Sequence, residues 1–236
     1  MSLTSEESIK CPQCGKESTM TMFRTIDMQT SPNLKAKVLN GEIFQFQCPH
    51  CHYKGMINYG LLYEDVEKHL MVYYAKTEEE YNNALQTIAK NRQDKAQEGD
   101  EVQKMMAQVA KEFSIRVVRS QGDMAEKVAI AEAGYDDRLI ELLKVFWGNQ
   151  ALQQGIRFDH AYFVRGKGTQ LDAVQLFDSQ TGQSRAIEFN KSVKKVYDTF
   201  LAKFYPILQG EHGNDVEINF SWAVSIFKEM AATAKA

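Results

Sequence analysis

The four cysteines of the chain lie in two short stretches, CPQCG at residues 11–15 and CPHCH at residues 48–52. Two residues separate the thiols of each pair, so one tight turn can aim both sulfurs at one point while its amides donate to the thiolates. Two such turns complete the tetrahedron of thiolates that suits Zn²⁺. The spacing therefore predicts a closed, structural zinc site whose ligands are Cys11, Cys14, Cys48 and Cys51.

Residues around the cysteines support tight turns. Pro12 and Pro49 stiffen them, and Gly15 can adopt the left-handed conformation after the second sulfur. The gap of 33 residues between the pairs exceeds the roughly 15–20 residues usual in such sites. An inserted helix over residues 31–41, with Ser31 as its cap, accounts for the excess.

Other chemistry of the cysteines is less favoured. A redox role is disfavoured because redox C-x-x-C motifs belong to a strand–helix context. A catalytic zinc is disfavoured because it needs an open coordination position, which four thiolates would fill. Disulfides are disfavoured because they do not persist in the cytoplasm. His50 and His52 flank Cys51, and the favoured interpretation is that both are exposed residues of the turn. The alternatives are that one of them replaces a ligand, or that they donate into the site from outside.

Alternating apolar residues around the turns predict antiparallel strands at 20–28, 44–47 and 53–59, and a further strand at 70–75. This pattern is typical of a zinc ribbon. We therefore place an N-terminal zinc-ribbon domain at residues 1–76.

A helix with a T-x-x-E capping box at Thr77 and Glu80 begins a predicted connector over residues 77–112. The remainder, residues 113–236, alternates helical and strand patterns. We predict a strand at 113–120, two helices, three short strands and a helix limited by Pro206, followed by either a C-terminal helix or a strand and then a helix. The fold class is therefore α+β, with the three strands as an antiparallel meander in the C-terminal domain.

A second group of chemically capable residues lies at the start of a predicted C-terminal helix. Four charged residues are concentrated there, and Glu126 of the preceding predicted helix joins them as a candidate. The candidates for binding a partner, a metal or a substrate are Glu126, Asp136, Asp137, Arg138 and Glu141. The simpler interpretation is a helix capped by Asp136, in which the acids complement the helix dipole and Arg138 pairs with Glu126 or Glu141.

The charge balance and the composition of the chain limit the kinds of function that we expect. The chain carries 28 Lys and Arg against 31 Asp and Glu, and no segment forms a basic block of the kind that nucleic-acid-binding proteins show. The N-terminus lacks the apolar core of a secretory signal, and no apolar run is long enough to span a membrane. These features predict a cytoplasmic protein, and the absence of any known catalytic motif favours a protein that is not an enzyme.

Several ordered segments together resemble the CpXC domain family of bacteria and archaea. They are SIKCPQCGKES, the PNLKAKVLNG segment, EIFQFQCPHCHYKGMINYGLLYED and MVYYA, and they cover roughly residues 8–75. The stretch IRVVRSQGDMAEKVAIAEAGYDDRLIELLK resembles the segment that follows this domain in many members. The resemblance implies zinc binding through the C-P-x-C pairs and a biochemical role that is uncharacterised. His52 departs from the family pattern, in which glycine usually follows the last cysteine.

Three functions are consistent with these patterns. The favoured hypothesis is a non-enzymatic protein-interaction or scaffolding protein with one structural zinc and an unidentified protein partner. The first alternative is nucleic-acid binding through residues 9–59, which carry 6 Lys and Arg against 3 Asp and Glu, with Phe44, Phe46 and Tyr53 available to stack bases. The second alternative is an enzyme that uses the charged group between residues 126 and 141.

Overall fold

The computed structural model describes residues 1–93 and 113–233. The fold is α+β, and the chain divides into two compact units, Met1–Ala125 and Glu126–Ala236. This division differs from the predicted boundaries at 76 and 112, and residues 94–112 of the predicted connector lie outside the described residues. Within the described ranges, no helix is long and apolar enough to cross a membrane.

The first unit is built on a mixed five-stranded sheet and a separate two-stranded one. The large sheet has the order β1-β2-β5-β6-β7, in which β2–β5 and β6–β7 are parallel and the other pairs are antiparallel. Strands β3 and β4 form the small antiparallel sheet. The seven strands are β1 Leu3–Lys10, β2 Glu17–Asp27, β3 Gln45–Gln47, β4 Lys54–Met56, β5 Leu61–Asp65, β6 Leu70–Tyr74 and β7 Ser114–Val118.

The inserted helix between the cysteine pairs is confirmed. A 3₁₀ turn at Pro32–Leu34 leads into helix α1, Lys35–Leu39, and Gly41 follows in the left-handed conformation with φ of 74°. A second 3₁₀ turn, Glu42–Phe44, replaces the first part of the strand expected at 44–47. Ser31 occupies the predicted cap position but makes no capping hydrogen bond with its side chain.

The predicted capping box at the start of helix α2, Glu78–Gln93, is also confirmed. The amide of Glu80 donates to Thr77 Oγ1 at 3.1 Å, and the amide of Thr77 donates back to Glu80 Oε2 at 3.2 Å. Two amides at the helix start are thereby satisfied within the local sequence.

Strand β7 belongs to the first unit, whereas the sequence placed it at the start of the C-terminal domain. It lies parallel to β6, with Tyr73 opposite Val117 and Tyr74 opposite Val118. Its alternating pattern predicted a strand correctly, but periodicity does not specify which neighbour a strand pairs with. Parallel pairing across a long connection is the case that local patterns miss most readily.

The second unit packs helices against the predicted three-stranded meander, β8 His160–Val164, β9 Ala173–Phe177 and β10 Ser184–Glu188, in the order β10-β9-β8. Helix α3, Gln121–Glu132, runs across the division between the units. It is followed by α4 Asp137–Gln153, α5 Lys191–Gln209 and α6 Phe220–Thr233. Helix α4 is central because one of its faces packs in the core beside the sheet and the other packs with α5 and α6.

Pro206 does not end its helix, contrary to the sequence expectation. Helix α5 continues to Gln209, and Leu208, which follows the proline, is fully buried against α4 and α6. A proline near the end of a helix removes only one internal hydrogen bond. Burial of Leu208 offsets that loss, so the helix completes another partial turn.

Candidate metal centre

Each cysteine pair lies in the turn of an antiparallel hairpin. Strands β1 and β2 end in register at Lys10 and Glu17, and residues 11–16 form the turn between them. Strands β3 and β4 end in register at Gln47 and Lys54, and residues 48–53 form the second turn. We call these segments the first and second knuckle. Both contain six residues and carry their cysteines at the first and fourth positions.

The two knuckles have the same hydrogen-bond pattern. In the first knuckle, the Cys11 amide donates to Lys16 O at 2.9 Å and the Gly15 amide donates to Cys11 O at 2.9 Å. In the second, the Cys48 amide donates to Tyr53 O at 2.8 Å and the His52 amide donates to Cys48 O at 3.0 Å. Two sequences that share only their Cys-Pro-x-Cys residues therefore adopt one turn geometry.

The knuckles bring all four sulfurs together. Cys11 Sγ lies 3.6 Å from Cys51 Sγ, and Cys14 Sγ lies 3.7 Å from Cys48 Sγ. All four Sγ atoms are within 4.8 Å of one another. A tetrahedron with Zn–S bonds of about 2.3 Å has edges of about 3.8 Å, so the observed spacings fit a thiolate-bound ion. They far exceed the roughly 2.05 Å of a disulfide, and the four cysteines are free thiols.

Hydrogen bonds and mutual contact give the thiols unequal acidity. Burial opposes charge on Cys48, but the amides of Cys51 and His50 and the neighbouring thiols lower the pKa of Cys48 to about 6. The amide of Tyr53 favours a Cys51 thiolate, but burial and the other three thiols raise the pKa of Cys51 to about 12. One thiolate forms easily, and its negative charge opposes the ionisation of the other thiols. A bound divalent cation would neutralise this repulsion between thiolates.

The first cysteine of each knuckle is part of a small apolar core. Cys11 and Cys48 are buried together with Phe46, and Ile9, Met20, Cys51, Tyr53 and Ile57 pack around them. Cys14, by contrast, is exposed. The site therefore has a buried side that joins both hairpins and an outer side that an ion can reach.

His52 keeps the backbone conformation of a glycine. Its φ is 61°, close to the 71° of Gly15 at the equivalent position of the first knuckle. The departure from the family pattern therefore leaves the turn unchanged, at the energetic cost of a side chain in the left-handed region. The side chains of His50 and His52 are exposed, and the donor cluster found among the described residues consists of the four cysteines without either histidine.

The aromatic residues proposed to stack bases are mostly inaccessible. Phe44 and Phe46 are 1% and 2% exposed, so the expectation that they form a stacking platform is wrong. Phe44 packs instead on Tyr59 and Tyr74 in the interior. Several basic residues of the same segment also have acidic partners, in the pairs Arg24–Glu7, Lys35–Asp65 and Lys37–Glu42.

The structure brings together three of the five charged residues that the sequence singled out in the C-terminal part. Glu126, Asp137 and Glu141 are buried, and two lysines that sequence reasoning missed lie among them. Lys127 Nζ is 3.1 Å from both Asp137 Oδ2 and Glu141 Oε1. Lys144 Nζ is 2.6 Å from Glu126 Oε1 and 2.9 Å from Glu141 Oε1. We call these five residues the buried ion network.

The remaining two residues of the predicted group serve the helix start. Asp136 is the N-cap of α4, and its Oδ1 accepts a hydrogen bond from the Arg138 amide at 2.9 Å. The Arg138 guanidinium pairs with this carboxylate and donates from Nη1 to Leu208 O at 2.8 Å. The prediction that Arg138 pairs with Glu126 or Glu141 is wrong, because the guanidinium folds back onto its own cap.

Burial and the neighbouring charges shift the pKa values of the network in opposite directions. Burial raises the pKa of Glu126, although the ammonium groups of Lys144 and Lys127 act in the opposite direction. For Lys144, burial is outweighed by Glu141 and Glu126, which raise its pKa.

The sequence did contain a signal for the position of Lys144. Residues 137, 141 and 144 recur at the spacing of one helical face, so the lysine could have been expected beside the two acids.

A family model described as CpXC protein matches residues 9–144, which is more than half of the chain. The match extends beyond the residues at 8–75 that carry the strongest resemblance, and it includes both knuckles and the whole buried ion network. No curated protein and no solved structure matches the chain.

Proposed function

The chain belongs to the CpXC family, and we propose that it is a non-enzymatic binding or scaffolding protein with one structural zinc ion. The ion would be held by Cys11, Cys14, Cys48 and Cys51. The observation that carries this proposal is the convergence of four thiols, all within 4.8 Å, from two turns with matching hydrogen bonds.

Zinc is the metal that this donor set suits best. Thiolate ligands favour soft or borderline ions, and a tetrahedral four-sulfur arrangement is typical of structural zinc or of iron–sulfur centres. Two hairpins that each present a C-P-x-C turn correspond to the arrangement of a zinc ribbon. When bound, the ion would cross-link the two hairpins and leave no open coordination position for a substrate.

A non-catalytic role is also supported by the charged groups of the second unit. The carboxylates of Glu126, Asp137 and Glu141 each have a lysine ammonium within 3.1 Å, which is the usual state of buried structural charges. A carboxylate held in this way is poorly suited to exchange protons with a substrate. We place the protein in a reducing compartment such as the cytoplasm, where thiolate ligands persist.

Metal analysis of the full chain, purified under reducing conditions, tests the proposal. We expect one zinc ion per chain, and we expect cobalt substitution to give the intense visible and thiolate charge-transfer absorption of a tetrahedral thiolate site. Chelation should increase amide hydrogen exchange in residues 9–20 and 44–57 while leaving the second unit protected. Protein that contains no zinc and gains no stability from added zinc would refute the metal centre.

Matched variants assign the ligands. Cys14→Ser should lose zinc, whereas His50→Ala and His52→Ala should retain it, because both histidine side chains are exposed and outside the donor cluster. Zinc loss in either histidine variant would show that the second knuckle uses a ligand other than its cysteines.

A nucleic-acid binding assay tests the alternative function. Tight, salt-dependent binding of single-stranded nucleic acid would support nucleic-acid binding through residues 9–59.

A further inference from the structure

A cleft lies between the second half of α4 and the edge strand β10, wholly within the second unit. Trp147, Gln150 and Gln154 line it from the helix, at the spacing that places them on one helical face. Leu176 of β9 and Arg185 and Ile187 of β10 line it from the sheet. Its volume is about 220 Å³, and it lies outside the residues matched by the family model.

We propose that this cleft binds a small organic monoanion, an aryl or branched alkyl carboxylate whose apolar group lies against Trp147 and whose carboxylate pairs with Arg185. The proposal concerns a site that is separate from the metal centre and does not depend on it.

Arg185 supplies a positive charge that has no ion-pair partner among the residues that the structure describes. Arg138 and Arg165 of the same unit pair with Asp136 and Asp172. Within the described residues, no carboxylate forms an ion pair with Arg185, and the residues that line the cleft include no acid. A planar guanidinium at the rim of a partly apolar cleft is well suited to bind a carboxylate through two parallel hydrogen bonds.

Trp147 provides the apolar surface and an additional donor. Its side chain is 6% exposed and packs edge-on against Phe189. Its indole N–H forms no hydrogen bond with an atom of the described residues and is not among their buried unpartnered polar atoms, so it stays accessible as a donor. Leu176 is buried beside it, so the floor of the cleft is apolar and its rim carries the polar groups.

The size and polarity of the cleft limit the ligand further. Pockets for drug-sized ligands usually exceed about 300 Å³, so 220 Å³ suits a single ring or a short branched chain. The amides of Gln150 and Gln154 can donate to or accept from the ligand's polar end. The end of α4 does not repel an anion strongly, because the carbonyls of residues 150–152 accept hydrogen bonds from the amides of residues 154–156.

Phenylacetate is a suitable probe because it combines one ring with one carboxylate. The chain contains two tryptophans, so Trp222→Phe identifies the indole N–H resonance of Trp147 in a ¹H–¹⁵N spectrum of the full chain. At matched ionic strength, phenylacetate should shift the Trp147 resonance saturably, and the neutral analogue phenylacetamide should do so far more weakly. Calorimetric titration of the unsubstituted protein provides a second measurement that needs no variant.

Arg185→Gln should weaken phenylacetate binding about tenfold, because glutamine removes the positive charge but keeps one N–H donor for the carboxylate. Arg157→Gln is the matched control, since Arg157 is also exposed but does not line the cleft. The affinity of this variant for phenylacetate should equal that of the unsubstituted protein. The proposal is overturned if phenylacetate produces no saturable shift and no heat, if phenylacetamide binds equally well, or if both variants weaken binding to the same extent.

Discussion

The ammonium nitrogen of Lys144 lies 2.6 Å from Glu126 Oε1, and only 3% and 7% of the two side chains are exposed. Glu126 Oε1 also accepts a hydrogen bond from the Phe163 amide of β8. Two helices and a strand of the second unit are therefore joined through one carboxylate oxygen. Such a contact specifies how these elements meet, whatever its net contribution to stability.

Replacing Lys144 with methionine should destabilise the second unit by about 3–5 kcal/mol, because Glu126 and Glu141 would lose a buried counter-charge. Both tryptophans lie in this unit, so their fluorescence during urea unfolding reports on it selectively. Lys194→Met, an exposed lysine on α5, is the control and should change the free energy of unfolding by less than about 0.5 kcal/mol. Equal effects of the two variants would show that the network is not important for stability.

Combining Lys144→Met with Glu126→Gln separates two causes of the destabilisation. One is the loss of the ion pair itself, and the other is the buried Glu126 carboxylate that is left without a counter-charge. The double variant should be more stable than Lys144→Met alone, because glutamine removes the uncompensated carboxylate but retains an acceptor for the Phe163 amide. If the two losses simply add, Glu126 and Lys144 are not energetically coupled. The same unfolding measurement decides between these outcomes.

His52→Gly should stabilise the second knuckle by about 1 kcal/mol, because a non-glycine residue with φ of 61° is strained by roughly that amount. Gly15→Ala should destabilise the first knuckle by a similar amount, since Gly15 has φ of 71°. Amide hydrogen exchange of each knuckle measures both changes. Faster exchange in His52→Gly would mean that the imidazole makes a stabilising contribution greater than its backbone strain.

The parts of the fold that the sequence predicted are those determined locally. Cysteine spacing, the capping box at Thr77 and Glu80, the Asp136 cap and the three-stranded meander depend on neighbouring residues, so their patterns were sufficient. Strand β1 was missed because an edge strand can be largely polar, and its sequence LTSEESIK has few apolar residues. The pairing of β7 with β6 and the contact between Lys127 and Glu141 depend on distant segments that no local pattern specifies.

The second unit should lose stability between pH 10 and pH 12. Burial raises the pKa of Tyr197 to about 12, although the Asp136 amide donates to its hydroxyl and favours the charged form. The folded state then holds this proton more tightly than the unfolded state, whose tyrosine titrates near 10. The stabilisation is complete below pH 10 and is lost as the pH rises to about 12.

Tyr197→Phe separates this contribution from that of the other tyrosines. The variant should be about 1 kcal/mol less stable at neutral pH, because the Asp136 amide loses an acceptor 3.0 Å away. Its stability should also fall less steeply in alkali than that of the unsubstituted protein. An identical alkaline slope in the two proteins would show that Tyr197 ionises normally in the folded state.

Asp136 combines two roles that substitution can separate. Its Oδ1 caps α4 through the Arg138 amide, and the same carboxylate holds the guanidinium whose Nη1 donates to Leu208 O on α5. Asp136→Asn keeps an N-cap acceptor but removes the charge, and Asp136→Ala removes both. We expect alanine to destabilise the unit by about 1–2 kcal/mol and asparagine by less, because asparagine keeps an oxygen that can accept from the Arg138 amide at the N-cap. Equal losses in urea unfolding would mean that the ion pair, and through it the attachment of α5, matters more than the helix cap.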